Sequence, residues 1–505
     1  MIKRRIGLLG VILGWATVGL AQQSELTLMH LYNSVPQANQ LNAALFPDYK
    51  FTMSMPGMGA HFVYLNNNFL PFSYFVDNTD PETGLLTIDA TDFNDQLRNV
   101  SRVEAGYNAN LFHLGWRFPT TYWSIGTNFR NSNGVSIPGS MMSLLLVGNQ
   151  NIDTAGLDLR QFSMRSTAFT EYYLTFGWEV TPDLSLAVRG KLLSGLYHVG
   201  LDRIGAQFQL GADGYSMVLE DFTYRSAGLA GAVSKEGVSL IQTAVDGQEP
   251  DLQGLLPTDI NGYLSFLNNT GVAVDFGAQY RLRKFLFHGG FNDIGFINWN
   301  AQNTYQVQFT EAEFNFDGLD LSGLLEDPNQ AQDPTGLLDG IDVDSLLNSY
   351  QPQFVEGEAY RTSLSGRFYL GAYYDLADWH RVGILSYNTL VNWRLFPALS
   401  VAYNVRLKRI LDLAVSTSLV GGAINNVGLG ANLNLGAFHV YAVTDNVLPV
   451  FGPRTLQNVN FRTGINFNFG VVGAKRARLR KQQDADENDD SLDFLDDDTG
   501  AGLLR

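Results

Sequence analysis

The 505-residue chain contains no cysteine, so no disulfide framework can hold small secreted domains together. Charge is scarce, at 16% Asp, Glu, Lys and Arg, and it leans acidic to a net −17; that balance argues against nucleic acid as a partner. Beyond the first twenty residues no apolar run reaches the roughly 18 uninterrupted residues of a membrane helix, because Asn, Asp, Arg or Gly breaks each one. Histidine is sparse too. His30, His61, His113, His198, His288, His380 and His439 are the whole set, and no two stand at a metal-ligand spacing such as i, i+4. There is no G-x-S-x-G elbow, P-loop or H-E-x-x-H motif. These absences leave no cofactor, no metal and no catalytic set to expect, and they predict a protein that is not an enzyme.

What is present begins with a basic cluster, Lys3, Arg4 and Arg5, followed by an apolar stretch from Ile6 to Leu20 and by the small residues Gly19 and Ala21 ahead of Gln22. This is the pattern of a secretory signal peptide over residues 1–21, cleaved after Ala21. The run is shorter than the roughly 20 residues that a spanning helix needs. Without the three basic residues the net charge becomes −20. The mature chain is therefore expected outside the cytoplasm, as a soluble protein or as a membrane β-barrel.

Composition and patterning favour the barrel. With 51 Gly, 33 Phe and 22 Tyr, the chain suits strands that face lipid on one side. From Val459 to Phe469 the odd positions are Val, Phe, Thr, Ile, Phe and Phe, while Asn460, Arg462, Asn466 and Asn468 stand on the even ones. Side chains alternate between the faces of a strand, so these four polar residues are the candidates for lining a lumen. The same alternation recurs in hairpins: Ala168 to Val180 with Leu184 to Leu192, Val272 to Tyr280 with Phe285 to Phe291, Phe368 to Tyr374 before a turn at Asp375–Arg381, Leu399 to Val405 with Leu411 to Leu419, and Val427 to Leu435 with Phe438 to Ala442. A weaker hairpin around Phe118–Thr121 and a first strand near Lys50–Met55 bring the total to about fourteen strands, an even number as closed bacterial barrels have. The fold class is all-β, a transmembrane antiparallel barrel. Connections within hairpins are short, whereas 131–166, 200–270 and 300–365 read as long extracellular loops. Trp116, Trp123, Trp178, Trp299 and Trp393 fall near strand ends, where indoles form an interfacial girdle.

Three stretches resemble a family of Bacteroidetes outer-membrane proteins catalogued as a domain of unknown function. Val35 to Ala44, containing Asn42, resembles its N-terminal Asn-Pro-Ala signature, with Ala43 where the family has proline. Phe291 to Trp299, with Asn292, Asp293 and Gly295, resembles its strand-end motif, and Tyr360 to Leu364 resembles the lead-in to its later hairpins. The architecture is more distantly similar to fourteen-stranded fatty-acid transporter barrels and to the PorP/SprF-like barrels of gliding and secretion. The resemblance implies a location in the cell outer membrane and, from the fatty-acid transporters, an N-terminal segment that plugs the lumen. It implies no activity.

The chain thus divides into the signal (1–21), an N-terminal periplasmic or plug segment (22–49), the barrel (50–470) and a charged tail (471–505). The acidic stretch from Glu311 to Asp344 lacks the spacing of an EF-hand loop. It reads as a solvated outer loop whose leucines form short helices over the mouth. The tail, basic at Lys475–Lys481 and acidic at Asp484–Asp498, reads as disordered. Two functions fit: a non-enzymatic conduit for small or hydrophobic molecules, or a scaffold barrel docking secretion, gliding or adhesion machinery through its loops and tail. Expected partners are outer-membrane lipid and, for the scaffold, a periplasmic or surface protein.

Overall fold

The alternating segments form fourteen antiparallel strands in a computed structural model of the chain, which describes residues 25–31, 34–68, 74, 77–78, 99–147, 157–158, 161–211, 214–235, 268–316, 353–391, 394–408, 410–420, 423–452 and 458–472. The signal, the acidic stretch 317–352, Trp393 and the tail from 473 lie outside the described residues. The strands are β1 (Tyr49–Ser54, resuming as Ala60–Asn67), β2 (Val100–Arg117), β3 (Thr121–Pro138), β4 (Ser163–Glu179), β5 (Leu184–Gly211), β6 (Thr270–Leu282) and β7 (Phe285–Trp299). They continue as β8 (Tyr360–Ser363, resuming as Gly366–Ala377), β9 (His380–Val391), β10 (Arg394–Leu407), β11 (Leu411–Val420), β12 (Ala423–Leu435), β13 (Phe438–Thr444) and β14 (Asn458–Val471). Both parts of β1 pair with β14 on one side and β2 on the other, which closes the barrel and leaves no edge.

Tight turns join the strands at the rim where β1 begins and β14 ends, here called the lower rim. Arg283, Lys408 and Gly436 hold positive φ there. The upper rim is uneven. β11 has 10 residues and β13 has 7, whereas β2 to β5 have 17 to 28, so the wall is low around β11 and β13 and tall around β2–β5. The segments expected to be long loops are partly strand. Beyond Tyr197, β5 leaves β6 and pairs with strand Gly214–Gly228, which pairs with Thr304–Phe316, which in turn pairs with Gln353–Glu356. This second tier repeats the strand order of the barrel wall beneath it.

Alternation sorts the faces as the sequence pattern requires. Leu174, Val188, Val272, Phe287 and Phe461 point outward and are exposed, while Tyr173, Arg189, Ala273, Leu286 and Arg462 point inward and are buried. One irregularity reverses this parity. In β7 the register slips between Phe291 and Ile294, so Asn292 and Asp293 together oppose Asp275, and Asp293 takes φ 61°. Such a β-bulge inserts one extra residue and shifts every later side chain to the other face. Ile294 faces out at 50% exposure, while Ile297 and Trp299 face in at 0%. This corrects the girdle expectation for Trp299: its indole is buried and donates to Thr362 Oγ1 at 2.8 Å. Trp123 and Trp178 do lie exposed on the outer face beside the lower turns.

Candidate functional site

Residues 25–31 and 34–48 run through the inside of the barrel. Helix Leu26–His30 and the 3-10 turn Pro36–Gln40 are its ordered elements, and this plug is almost wholly buried. Its first half is held by apolar contact. Leu26, Leu28, Met29, Leu31 and Val35 form one buried cluster with wall residues such as Tyr373, Leu385, Tyr387 and Tyr441. Tyr373 donates its hydroxyl to Met29 O at 2.9 Å, the Asn404 amide donates to His30 O, and Asp445 caps the helix start by accepting from Thr27 N at 2.7 Å and Leu26 N at 3.2 Å. His30 Nε2 meets Ser400 Oγ at 3.2 Å. Burial pushes the His30 pKa down to about 3, and nearby His288 and Arg381 add to that shift, so the imidazole is neutral at pH 7.

The second half of the plug extends the same cluster through Ala38, Leu41 and Leu45 but otherwise meets polar wall. Gln37 and Asn466 exchange reciprocal amide hydrogen bonds of 2.5 and 2.9 Å. Arg189 donates to Asn39 O at 2.8 Å, Asn39 Oδ1 at 2.5 Å and Gln40 O at 3.2 Å, and Asn292 donates to Leu41 O at 2.6 Å. Three successive plug carbonyls are thus held by two wall side chains. Asn42 Oδ1 accepts from Ala44 N at 2.8 Å, closing a local turn.

Glycines on the inner rows make room for this chain. A Cβ at Gly277 would lie 2.4 Å from Asn42 Oδ1 and 2.7 Å from Ala44 N, one at Gly177 2.3 Å from the Phe46 ring, and one at Gly428 2.3 Å from Thr27 Oγ1. Part of the high glycine content therefore serves the lumen.

Behind the polar half lies a buried ionic cluster drawn from β3 to β8. Asp293 accepts from Arg130 at 2.8 Å, Lys191 at 2.7 Å and Arg367. Asp275 faces Lys191 at 2.8 Å and Arg189 at 3.6 Å, and also accepts the Asp293 N–H at 2.8 Å. Glu171 faces Arg130 at 3.2 Å and Lys191 at 3.8 Å, and accepts from Asn128 at 2.7 Å. Removing such groups from water costs several kcal/mol per ion, which only well-made contacts offset. The bulge supplies those contacts by turning Asp293 inward beside Asn292.

The four lumen candidates all point inward and are buried. Asn460 bonds to Asp445, Arg462 pairs with Glu25 at 2.5 Å, Asn466 holds Gln37, and Asn468 continues the row. Of the motif residues, Asn42 sits in the plug, Asn292 clamps it, Asp293 centres the ionic cluster, and Trp299 packs above with Phe169 and Leu193. A Cβ at Gly295 would lie 2.2 Å from Val272 O, so the crowded backbone beside the bulge excludes a side chain there. The sequence reading missed Arg130, Glu171, Arg189, Lys191, Asp275 and Arg367. Their signal was a charge standing at an inner position within an otherwise apolar strand. Among the described residues no group of His, Asp and Glu is placed to hold a metal. A cavity of about 40 Å³ under the plug helix, lined by His30, Ser34, Trp379 and Asn404, has room for about a water molecule, not for an organic solute.

The chain belongs to the family of unknown function DUF5723, which it matches over residues 44–445. No curated protein matches it in sequence. Among solved structures it is similar to a FadL homologue of Pseudomonas aeruginosa, with 9% identity over 89% of this chain and 100% of that one and a TM-score of 0.39. It is also similar to the toluene transporter TbuX of Ralstonia pickettii, with 7% identity over 86% and 94% and a TM-score of 0.40. For the P. putida toluene transporter TodX the values are 8% identity over 90% and 96% and a TM-score of 0.36.

Proposed function

We propose that this member of the DUF5723 family is an outer-membrane conduit for small or hydrophobic molecules, gated by the plug in its own lumen. The exterior supports the membrane setting: Val272, Phe276, Phe285, Leu370 and Val401 are among many large apolar side chains left exposed around the wall, far more than a soluble surface carries. The observation that carries the gate is the contrast within the plug. Apart from Ala38 and Leu41, which join the apolar cluster, residues 36–42 are fixed by hydrogen bonds to wall side chains, which water can replace at a net cost of about 1 kcal/mol for each neutral bond and roughly 1.5–3 kcal/mol for those to Arg189. Retraction of this half toward the lower rim opens a polar path lined by Arg189, Asn292, Asn466 and Arg462.

The test uses the absence of native cysteine. Gln37→Cys with Asn466→Cys, bridged by a short bis-methanethiosulfonate, locks the gate. Solute flux into proteoliposomes should be present in the unbridged protein, vanish on bridging and return on reduction. Equal flux in the bridged and reduced forms would show that solutes do not pass this way.

A second reading, a scaffold that docks a surface protein, is favoured by the tier built from the upper part of β5 and strands Gly214–Gly228 and Thr304–Phe316. Mild crosslinking on cells should then trap a partner on these strands; recovery of the barrel alone would remove that reading.

A further inference from the structure

Among the described residues the ionic cluster is unbalanced. Arg130, Arg189, Lys191 and Arg367 face Glu171, Asp275 and Asp293, four cationic groups against three carboxylates. The neighbouring pair, Arg462 with Glu25, is balanced and leaves the excess in place. Arg189 holds the weakest ion pair of the four cations, 3.6 Å from Asp275. Its remaining N–H groups are spent on neutral acceptors: Thr175 Oγ1 at 2.8 Å and the plug oxygens of Asn39 and Gln40. Its guanidinium also lies over the Tyr173 ring, 4.8 Å from the centroid. A buried cation in low dielectric is satisfied better by a full negative charge than by carbonyl dipoles.

We infer that the plug carbonyls of Asn39, Gln40 and Leu41 stand in for an anionic ligand, and that Arg189 with Asn292 is the binding site for the carboxylate of a small aromatic or aliphatic organic acid that displaces the plug. This rests on the gated-conduit reading and adds to it the class of molecule that opens the gate. Two features define the site. The donors converge from two strands, Arg189 on β5 and Asn292 on β7. Tyr173 beside them offers a ring face for the ligand's apolar part. The bound carboxylate accepts from the Arg189 fork and the Asn292 amide, neutralises the excess charge, and leaves the plug without its two clamps.

The probe is benzoate against benzamide, which has nearly the same shape but no charge. Ala38, fully buried in the plug, is replaced by Cys to give a single thiol, and its labelling by a maleimide is timed on the full chain in nanodiscs. Benzoate at about ten times its dissociation constant should speed labelling about tenfold, with benzamide and sodium chloride of equal ionic strength inactive. Arg189→Gln should label fast without ligand and ignore benzoate, whereas Arg189→Lys should keep a reduced benzoate response. Heat-modifiable gel mobility checks that each variant is a folded barrel, and if Arg189→Gln is not, the Arg189→Lys response decides. Equal acceleration by benzoate and benzamide would overturn the anionic site while leaving the gate intact. So would acceleration by chloride, which indicates screening. No acceleration by any probe would overturn the site, and the bridged-plug flux measurement would then separately decide the gate.

Discussion

The two halves of the plug occupy one lumen but are held by different physics. Residues 26–35 press Leu28, Met29, Leu31 and Val35 into a cluster of wall tyrosines and leucines, and full burial of each such side chain stabilises by roughly 1.5–3 kcal/mol. Residues 36–42 add only Ala38 and Leu41 to that cluster and otherwise rest on hydrogen bonds, several to charged groups, against a wall whose own ions fix one another. The first half cannot leave without exposing hydrocarbon to water. The second can exchange its partners for water or for an anion. A plug of this kind is anchored at one end and removable at the other, which is what a reusable gate requires.

The contrast breaks most severely at Asp293. Asp293→Asn keeps a residue tolerant of the positive φ but strips the shared acceptor from three cations, and removing one partner of a buried ionic group costs roughly 3–5 kcal/mol. The midpoint of denaturant unfolding in detergent should fall accordingly, and residues 36–42 should become labile; an unchanged midpoint would show that the cluster is not a staple of β3–β8. Leu28→Ala attacks the other half, at about 3 kcal/mol for a fully buried leucine. Proteolysis should then reach the 26–35 segment first, with the polar clamp still formed.

Acidification sharpens the same distinction through His30. Its pKa is depressed in the docked state, to about 3, and ordinary, about 6.5, once released into water. The released state therefore binds the proton, and docking is fully favourable only above about pH 6.5. It weakens as pH falls toward 3, losing about 2 kcal/mol by pH 5. Relative to a free thiol at the same pH, whose own reactivity falls with its thiolate fraction, labelling of a Leu28→Cys thiol should accelerate between pH 7 and pH 5, and His30→Gln should flatten that ratio. The smallest effect is expected at Asn42→Ala, which removes one local hydrogen bond to Ala44 N and should loosen the polar half by about 1 kcal/mol. Hydrogen exchange at the Ala44 amide would show it directly.

Much of this wall could be read from the chain. The rows Leu174–Trp178, Val272–Tyr280 and Val459–Phe469 declare their outer faces because alternation is a property of neighbours two residues apart. Proximity to a strand end placed Trp299 in the girdle, but a single bulge residue at Asn292–Asp293, which leaves no mark in composition, reverses parity and turns the indole inward. The second tier escaped because its apolar rows are short and change parity part-way, Tyr305 to Phe309 giving way to Ala312 to Phe316, and Tyr215 to Leu219 giving way to Phe222 and Tyr224. Asn292, Arg462 and Asn466 were legible in the sequence, but the pairings that make a gate escaped for a different reason. Arg189 meets Asn39 across 150 positions and Gln37 meets Asn466 across 429, and no local pattern encodes such a meeting.

The sequence by itself determined the all-β class, the alternation that gives the wall one apolar and one polar face, and the inward row from Asn460 to Asn468, because each follows from backbone period and side-chain polarity alone. Only the tertiary structure decided that the lumen is filled, that its glycines admit a plug, and that seven charged residues from six strands converge behind one half of it. Those outcomes depend on which distant segments barrel closure brings face to face, and on the low dielectric that makes one unbalanced charge among them matter.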